Sequence, residues 1–194
     1  VCSSINKRNV VVGLDVGTSS IKAALAEIVS PGTVNILGLS RQPSAGLRKG
    51  NIVDIETTAR SIDSCLNELE RLTGVEIQSA VCGFSGISIT AVSNHAVIAV
   101  ANPSYEITEE DKRRVLQLAQ NIALPPDKMI VQLIERQYIV DGYDGVKDPV
   151  GMVGSRLEAE VLIIIAAAAA LQNLQRSADR INLYLERFIY SPIL

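Results

Sequence analysis

Residues 10 to 39 constrain the fold more than any other stretch. Val10-Val11-Val12-Gly13-Leu14 is a short β-branched run, Asp15-Val16-Gly17-Thr18-Ser19-Ser20 is a turn, and Ile21 to Ala26 is a second apolar stretch. Pro31-Gly32 marks the next turn, and Val34 to Leu39 gives a third strand. Strands joined by turns this tight pair antiparallel, because a parallel pair needs a crossover of a dozen or more residues. The chain therefore opens with an antiparallel meander. Pro43, Gly46 and Gly50 then punctuate a loop leading to Asp54, an expected helix N-cap with Glu56 in the first turn. Ile62, Cys65, Leu66, Leu69 and Leu72 recur at helical spacing and stop at Gly74, and Ala80 to Phe84 is a buried strand.

After Phe84 the pattern changes. Ile87, Ile89 and Ala91 alternate with Ser88, Thr90 and Val92, Ser93-Asn94-His95 reads as a turn, and Ala96 to Val100 resumes a strand, so a hairpin is expected. Thr108 caps a helix whose first turn holds Glu109, Glu110 and Asp111 and whose buried stripe is Val115, Leu118, Ala119 and Ile122, ended by Pro125-Pro126. Met129 to Ile134, Gln137 to Val140 and Leu157 to Ile165 read as strands, with Asp141 to Ser155 a Gly- and Asp-rich loop. Leu171, Leu174, Ala178 and Ile181 imply a last helix, and Phe188-Ile189-Tyr190 the start of another strand. Ala166 to Ala170 suits a helix start, Ala being the best helix former. The reading is of an α/β layer with a mixed sheet into which a compact unit is inserted.

Composition narrows the function classes. The 194 residues are 47% hydrophobic and 20% charged, and no apolar run reaches the roughly 18 to 20 residues of a bilayer-crossing helix. The net charge of −3 provides no general attraction for nucleic acid, although it leaves room for a local phosphate site. Cys2, Cys65 and Cys82 fit neither a disulfide framework nor a metal cluster, which suggests a reducing compartment. The polar start, Val1 to Asn9, lacks the apolar core of a secretory signal, so a cytoplasmic chain is expected. The start without Met and the end in mid apolar segment suggest a piece of a longer chain.

Asp15 to Ser20 carries the clearest chemistry. At a strand-to-strand turn, a Gly lets the backbone approach a ligand, while neighbouring N–H groups and hydroxyls surround phosphate oxygens. Gly17, Thr18, Ser19 and Ser20 are the candidate phosphate ligands. Lys22 reaches a terminal phosphate as a point charge, and Asp15 holds Mg²⁺ through water, since Mg²⁺ takes one or two carboxylates and keeps several waters. Any Asp-x-Gly-Thr is also a ready turn, and the flanking strands and Lys22 tip the balance towards phosphate.

Residues 11 to 27, VVGLDVGTSSIKAALAE, resemble the first phosphate motif of the actin, heat-shock-chaperone and sugar-kinase superfamily. Pro43 to Asp54 narrows the resemblance to the FtsA family of bacterial cell-division proteins. Gly83-Phe84-Ser85-Gly86, Ile107-Thr108-Glu109-Glu110-Asp111, Gln137 to Asp141 and Asp148 to Glu158 match that family in order. The resemblance implies an actin-like, ribonuclease-H-like subdomain 1A from residues 10 to 84 and 162 to 194, with an FtsA-type subdomain 1C inserted at 85 to 161. It further implies ATP and Mg²⁺ as ligands, FtsZ and later division proteins as partners, and self-association through subdomain 1C. The implied location is the inner face of the cell membrane at the division site, reached through a C-terminal amphipathic helix that these residues do not include. A second phosphate motif and an adenosine motif lie beyond residue 194 in the superfamily, so this chain is expected to bind ATP poorly and not to hydrolyse it. Ala166 to Ala170 stands where the family usually carries Gly, Ser or Thr.

Other candidates are weaker. His95, the single histidine, reads as a surface residue without a matched nucleophile, and Cys82 as packing. Glu158 and Glu160 read as a solvated strand face, and Lys112-Arg113-Arg114 as exposed ion pairs. Two alternatives remain: a type IV pilus assembly protein of the PilM kind, and an interaction module without nucleotide. A sugar or acetate kinase lacks support, because no catalytic base with a defined partner is present.

Overall fold

The structure, a computed structural model, describes residues 9–84, 89–102 and 104–190. Cys2, Ser85, Gly86 and Ile87, all used in the sequence reading, lie outside the described residues. In chain order the elements are β1 (Val10–Val16), β2 (Ser20–Ser30), β3 (Thr33–Pro43), β4 (Leu47–Arg48), β5 (Asn51–Ile52), α1 (Ile55–Thr73), β6 (Ser79–Phe84), β7 (Thr90–Ala99), α2 (Glu109–Gln120), β8 (Lys128–Val140), β9 (Tyr143–Val146), β10 (Arg156–Ala167), α3 (Ala168–Asp179) and β11 (Tyr184–Tyr190). They form two compact units, Val1–Ser88 with Ala168–Leu194, and Ile89–Ala167.

The first unit is a five-stranded mixed sheet in the order β11-β6-β1-β2-β3. The meander pairs antiparallel, and β6 and β11 add parallel to β1 in turn. Because side chains alternate across a strand, Val12, Leu14 and Val16 of β1 and Ile21, Ala23 and Leu25 of β2 are buried together on one face. Helices α1 and α3 are packed with this sheet and with each other. Ile62, Cys65, Leu66 and Leu69 give α1 its buried stripe, and the Ser40 hydroxyl donates to the Cys65 carbonyl at 2.8 Å. Asp54 caps α1 by accepting from the Thr57 amide at 3.0 Å, and Gly74 closes it in the left-handed conformation at φ 69°. A meander followed by a helix and parallel strands is the ribonuclease-H-like, actin-like arrangement, an α/β fold with a mixed sheet.

The sheet's other face carries small and apolar residues without a helix over them among the described residues. Val34, Ile36 and Leu39 are 56%, 59% and 62% exposed there. With Val11, Gly13, Ala24, Val81, Gly83 and others they line a depression of about 900 Å³, with Asp15, Lys22 and Arg41 among its lining residues.

The second unit is an antiparallel sheet, β7-β10-β8-β9, with α2 packed against β7 and β10. Val115 and Ala119 of α2 meet Ala96, Tyr138, Leu157, Ala159, Val161 and Ile163 in a closed core. Thr108 and Asp111 form a reciprocal capping box at the start of α2.

Three expectations about elements are corrected here. Ser93-Asn94-His95 is no turn: ten consecutive residues of β7 pair with β10, and this ladder holds polar residues extended. Met129 to Val140 is one strand rather than two, because a bulge at Arg136 absorbs the polar interruption while pairing to β10 continues. The loop expected over 141 to 155 contains β9, joined to β8 by Asp141-Gly142, both at positive φ. The alanine run divides: Ala166 and Ala167 end β10, and Ala168 begins α3.

Candidate phosphate-binding site

The β1–β2 hairpin brings all six candidate residues to one end of the first sheet. Asp15 and Lys22 are register partners, so their side chains share a face, and Lys22 Nζ lies 3.4 Å from Asp15 Oδ2. Both are largely open to solvent, 57% for Lys22 and 39% for Asp15. Beyond them the Gly17 amide donates to the Ser20 carbonyl at 3.2 Å and closes the turn. A Cβ on Gly17 would stand 2.9 Å from that oxygen, so this close approach requires glycine. Thr18 and Ser19 are exposed at the tip, whereas Ser20 is buried opposite Pro43. Two hydroxyls and one ammonium are therefore presented to solvent.

The sequence reading missed what holds this tip. The Gly50 amide donates to Thr18 Oγ1 at 3.0 Å, and the Ser44 amide donates to the Ser19 carbonyl at 3.2 Å. Both donors lie on the loop between β3 and α1, where the β4–β5 hairpin turns on Lys49 and Gly50 with φ of 50° and 77°. The Thr18 hydroxyl accepts from Gly50 and keeps its own hydrogen to donate. Ser44 Oγ is enclosed and has no partner among the described residues. The same loop reaches α1, since the Gly46 carbonyl accepts from both Val53 and Asp54 amides at 2.8 and 3.1 Å. The Lys49-Gly50 pair, a turn signal between two short extended dipeptides, was the sequence clue to this hairpin.

One carboxylate, two exposed hydroxyls, a tight glycine-closed turn and one exposed ammonium suit a phosphate with an outer-sphere Mg²⁺, which needs few protein carboxylates. Among the described residues no three His, Cys, Asp or Glu side chains gather as a metal cluster. Behind the site Cys82 pairs with Leu14 on β1, and burial pushes its thiol up to about 12, with the Asp15 charge adding to the shift. It is a packing residue.

The remaining candidates sit in the second unit. His95 Nε2 is 2.7 Å from Glu158 Oε2, and Arg156 Nε is 3.1 Å from Glu158 Oε1. Glu158, expected on a solvated face, is instead buried to 7% exposure, because two cationic or donor groups replace its water. Glu160 accepts from Gln137 Nε2 at 2.9 Å. Arg113 and Arg114 pair with Glu110 and Asp111 at 2.7 and 3.0 Å on the helix surface. Lys112 is more enclosed, 3.3 Å from Asp148 and 3.6 Å from Glu135, with its ammonium 5.5 Å from the Tyr138 ring centre.

Residues 86–165 match the SHS2 domain inserted in FTSA. The chain is 34% identical over 191 residues to the cell division protein FtsA of Pseudomonas aeruginosa, covering 98% of this chain and 45% of that protein. It is 36% identical over 189 residues to the FtsA of Bacillus subtilis, covering 97% and 43%. The chain thus spans less than half the length of these curated relatives. Among solved structures, a PilM-PilN type IV pilus biogenesis complex superposes with a TM-score of 0.60 at 15% identity, over 94% of this chain and 47% of that one. That likeness is one of fold alone.

Proposed function

The chain belongs to the FtsA family of cell-division proteins, and from that membership we propose that it supplies half of a Mg·ATP site and an assembly surface to an actin-like protein of the divisome. In this reading residues 10–84 and 162–194 act as subdomain 1A, and residues 85–161 as subdomain 1C. The whole protein links FtsZ filaments to the inner face of the membrane and recruits later division proteins to the septum. Subdomain 1C carries self-association and recruitment.

The observation that supports the nucleotide part is the β1–β2 hairpin, where Gly17 allows the tight turn to close and Asp15, Thr18, Ser19 and Lys22 share one end. Thr18 and Ser19 donate to phosphate oxygens, Lys22 adds a positive charge, and Asp15 orients the metal's water. Bound Mg·ATP serves as a conformational and assembly ligand. The PilM alternative has only the shared fold in its favour.

The test uses the chain extended to the full length of its relatives. Isothermal titration with Mg·ATP should show that Asp15→Ala and Lys22→Ala each weaken binding, and unchanged affinity in both removes the hairpin from the site. Co-sedimentation with FtsZ filaments checks the division role separately, and absence of the extended chain from the pellet rules out the FtsZ link.

A further inference from the structure

Four strands form the edges of the two main sheets, β3 and β11 in the first and β7 and β9 in the second. Exposed edges invite another strand, and proteins block them with charge, proline, bulges or brevity. β3 carries Arg41, ends at Pro43 and has an irregular register with β2. β11 carries Glu186 and Arg187 and a register shift, and β9 is four residues long. β7 has none of these devices. Its ten residues, TAVSNHAVIA, include no Pro, Gly, Lys, Arg, Asp or Glu, and its pairing with β10 is unbroken.

The ladder's parity shows which groups are free to pair. The Val100 amide donates to the Ser155 carbonyl at 2.9 Å in the same antiparallel register, so even-numbered residues of β7 direct their backbone groups to β10. Ala91, Ser93, His95, Val97 and Ala99 therefore direct theirs outward. All five are exposed, and no described segment pairs with them.

We infer that β7 pairs antiparallel with β7 of a second copy of the chain, joining two four-stranded sheets into one continuous sheet. A two-fold axis at His95 sets Ser93 against Val97 and Ala91 against Ala99 of the second copy, so every outward amide finds a carbonyl. The second copy is the occupant because the strand complements itself: no fixed charge lies on it to repel its own image across the axis. Val92, 36% exposed, meets Ile98 of the second copy. His95 stays tethered to its own Glu158 at 2.7 Å. The inference rests on the self-association proposed for subdomain 1C and names the strand that carries it.

Sedimentation equilibrium of the 194-residue chain should show a dimer. Val97→Pro removes an outward amide and no bond to β10, and Val97→Lys installs a charge at the edge. Each should raise the dimer dissociation constant about tenfold or more while leaving far-ultraviolet circular dichroism unchanged. Hydrogen exchange at Ser93 and His95 should be slowed in the wild-type dimer and fast in both variants. A dimer that survives both substitutions overturns β7 pairing and leaves self-association to another surface. A wild-type chain that stays monomeric overturns both. Protection of these amides that develops only when FtsZ is added assigns the edge to a foreign strand and likewise overturns the inference.

Discussion

The Thr18 hydroxyl accepts a hydrogen bond from the Gly50 amide at 3.0 Å, across a separation of 32 residues. This bond holds the exposed tip of the β1–β2 hairpin against the loop that leads into α1. Thr18→Val keeps the side-chain shape and deletes the acceptor. The expected result is faster hydrogen exchange at Gly50 and a small loss of stability, about 0.5–1.5 kcal/mol for one bond of this kind. Thr18→Ser should restore slow exchange, and equal exchange in all three chains would show that the bond does not hold the loop.

With a single phosphate turn, the 194-residue chain should bind Mg·ATP only in the millimolar range, because solvent-exposed phosphate contacts are screened. In the full-length extension, Lys22→Ala should weaken binding by roughly tenfold to a hundredfold, the loss of one charged hydrogen bond of about 1.5–3 kcal/mol. Micromolar affinity in the short chain, read by calorimetry, would contradict the half-site reading.

Asp141 provides a pH prediction. Its carboxylate accepts from the Ser155 amide and hydroxyl and from the Arg156 amide, the last at 2.9 Å, and these bonds hold its pKa below the ordinary carboxylate value. The N-cap Asp54 and the capping-box Asp111 are lowered for the same kind of reason. A depressed folded-state pKa gives stability that is present above the unfolded value, near 3.9, and lost as pH falls through the lower folded value. Urea midpoints should therefore fall steeply below about pH 4. Asp141→Asn, which tolerates the residue's φ of 48°, should lower the midpoint at pH 7 and flatten the acid dependence.

Gly46 and Gly32 separate steric from conformational effects. Both have positive φ, 83° and 78°. A Cβ on Gly46 would lie 2.5 Å from the Asp54 carbonyl oxygen and from Thr58 Oγ1, whereas one on Gly32 meets nothing within 4 Å. Gly32→Ala should destabilise by about 1 kcal/mol, and Gly46→Ala by clearly more, with the N-terminus of α1 displaced. Equal thermal shifts in the two variants would refute the close packing of the loop on α1.

Local signals in the sequence located much of this architecture. Asp54 and Gly74 bracket α1 because capping chemistry acts within a few residues, and Pro31-Gly32 lies within the β2–β3 turn for the same reason. Where the reading failed, a distant partner decided. Ser93-Asn94-His95 resembles a turn until β10 is there to pair with it, and Glu158 reads as solvated until His95 and Arg156 surround it. For the candidate site, the turn residues were legible as a motif, whereas the Gly50 and Ser44 donors belong to contacts that no local pattern encodes.

The parallel pairing of β6 with β11 has a consequence for synthesis on the ribosome. About a hundred residues separate Phe84 from Tyr184, and the whole second unit lies between them. At roughly 5–20 residues per second, β6 emerges some 5–20 s before its outer neighbour exists. The second unit, complete in itself, has time to fold in that interval, so the nascent first sheet waits with β6 as a temporary edge. Gly83 and the enclosed Cys82 leave that edge without a charged guard, which makes this interval an aggregation-prone stage of translation.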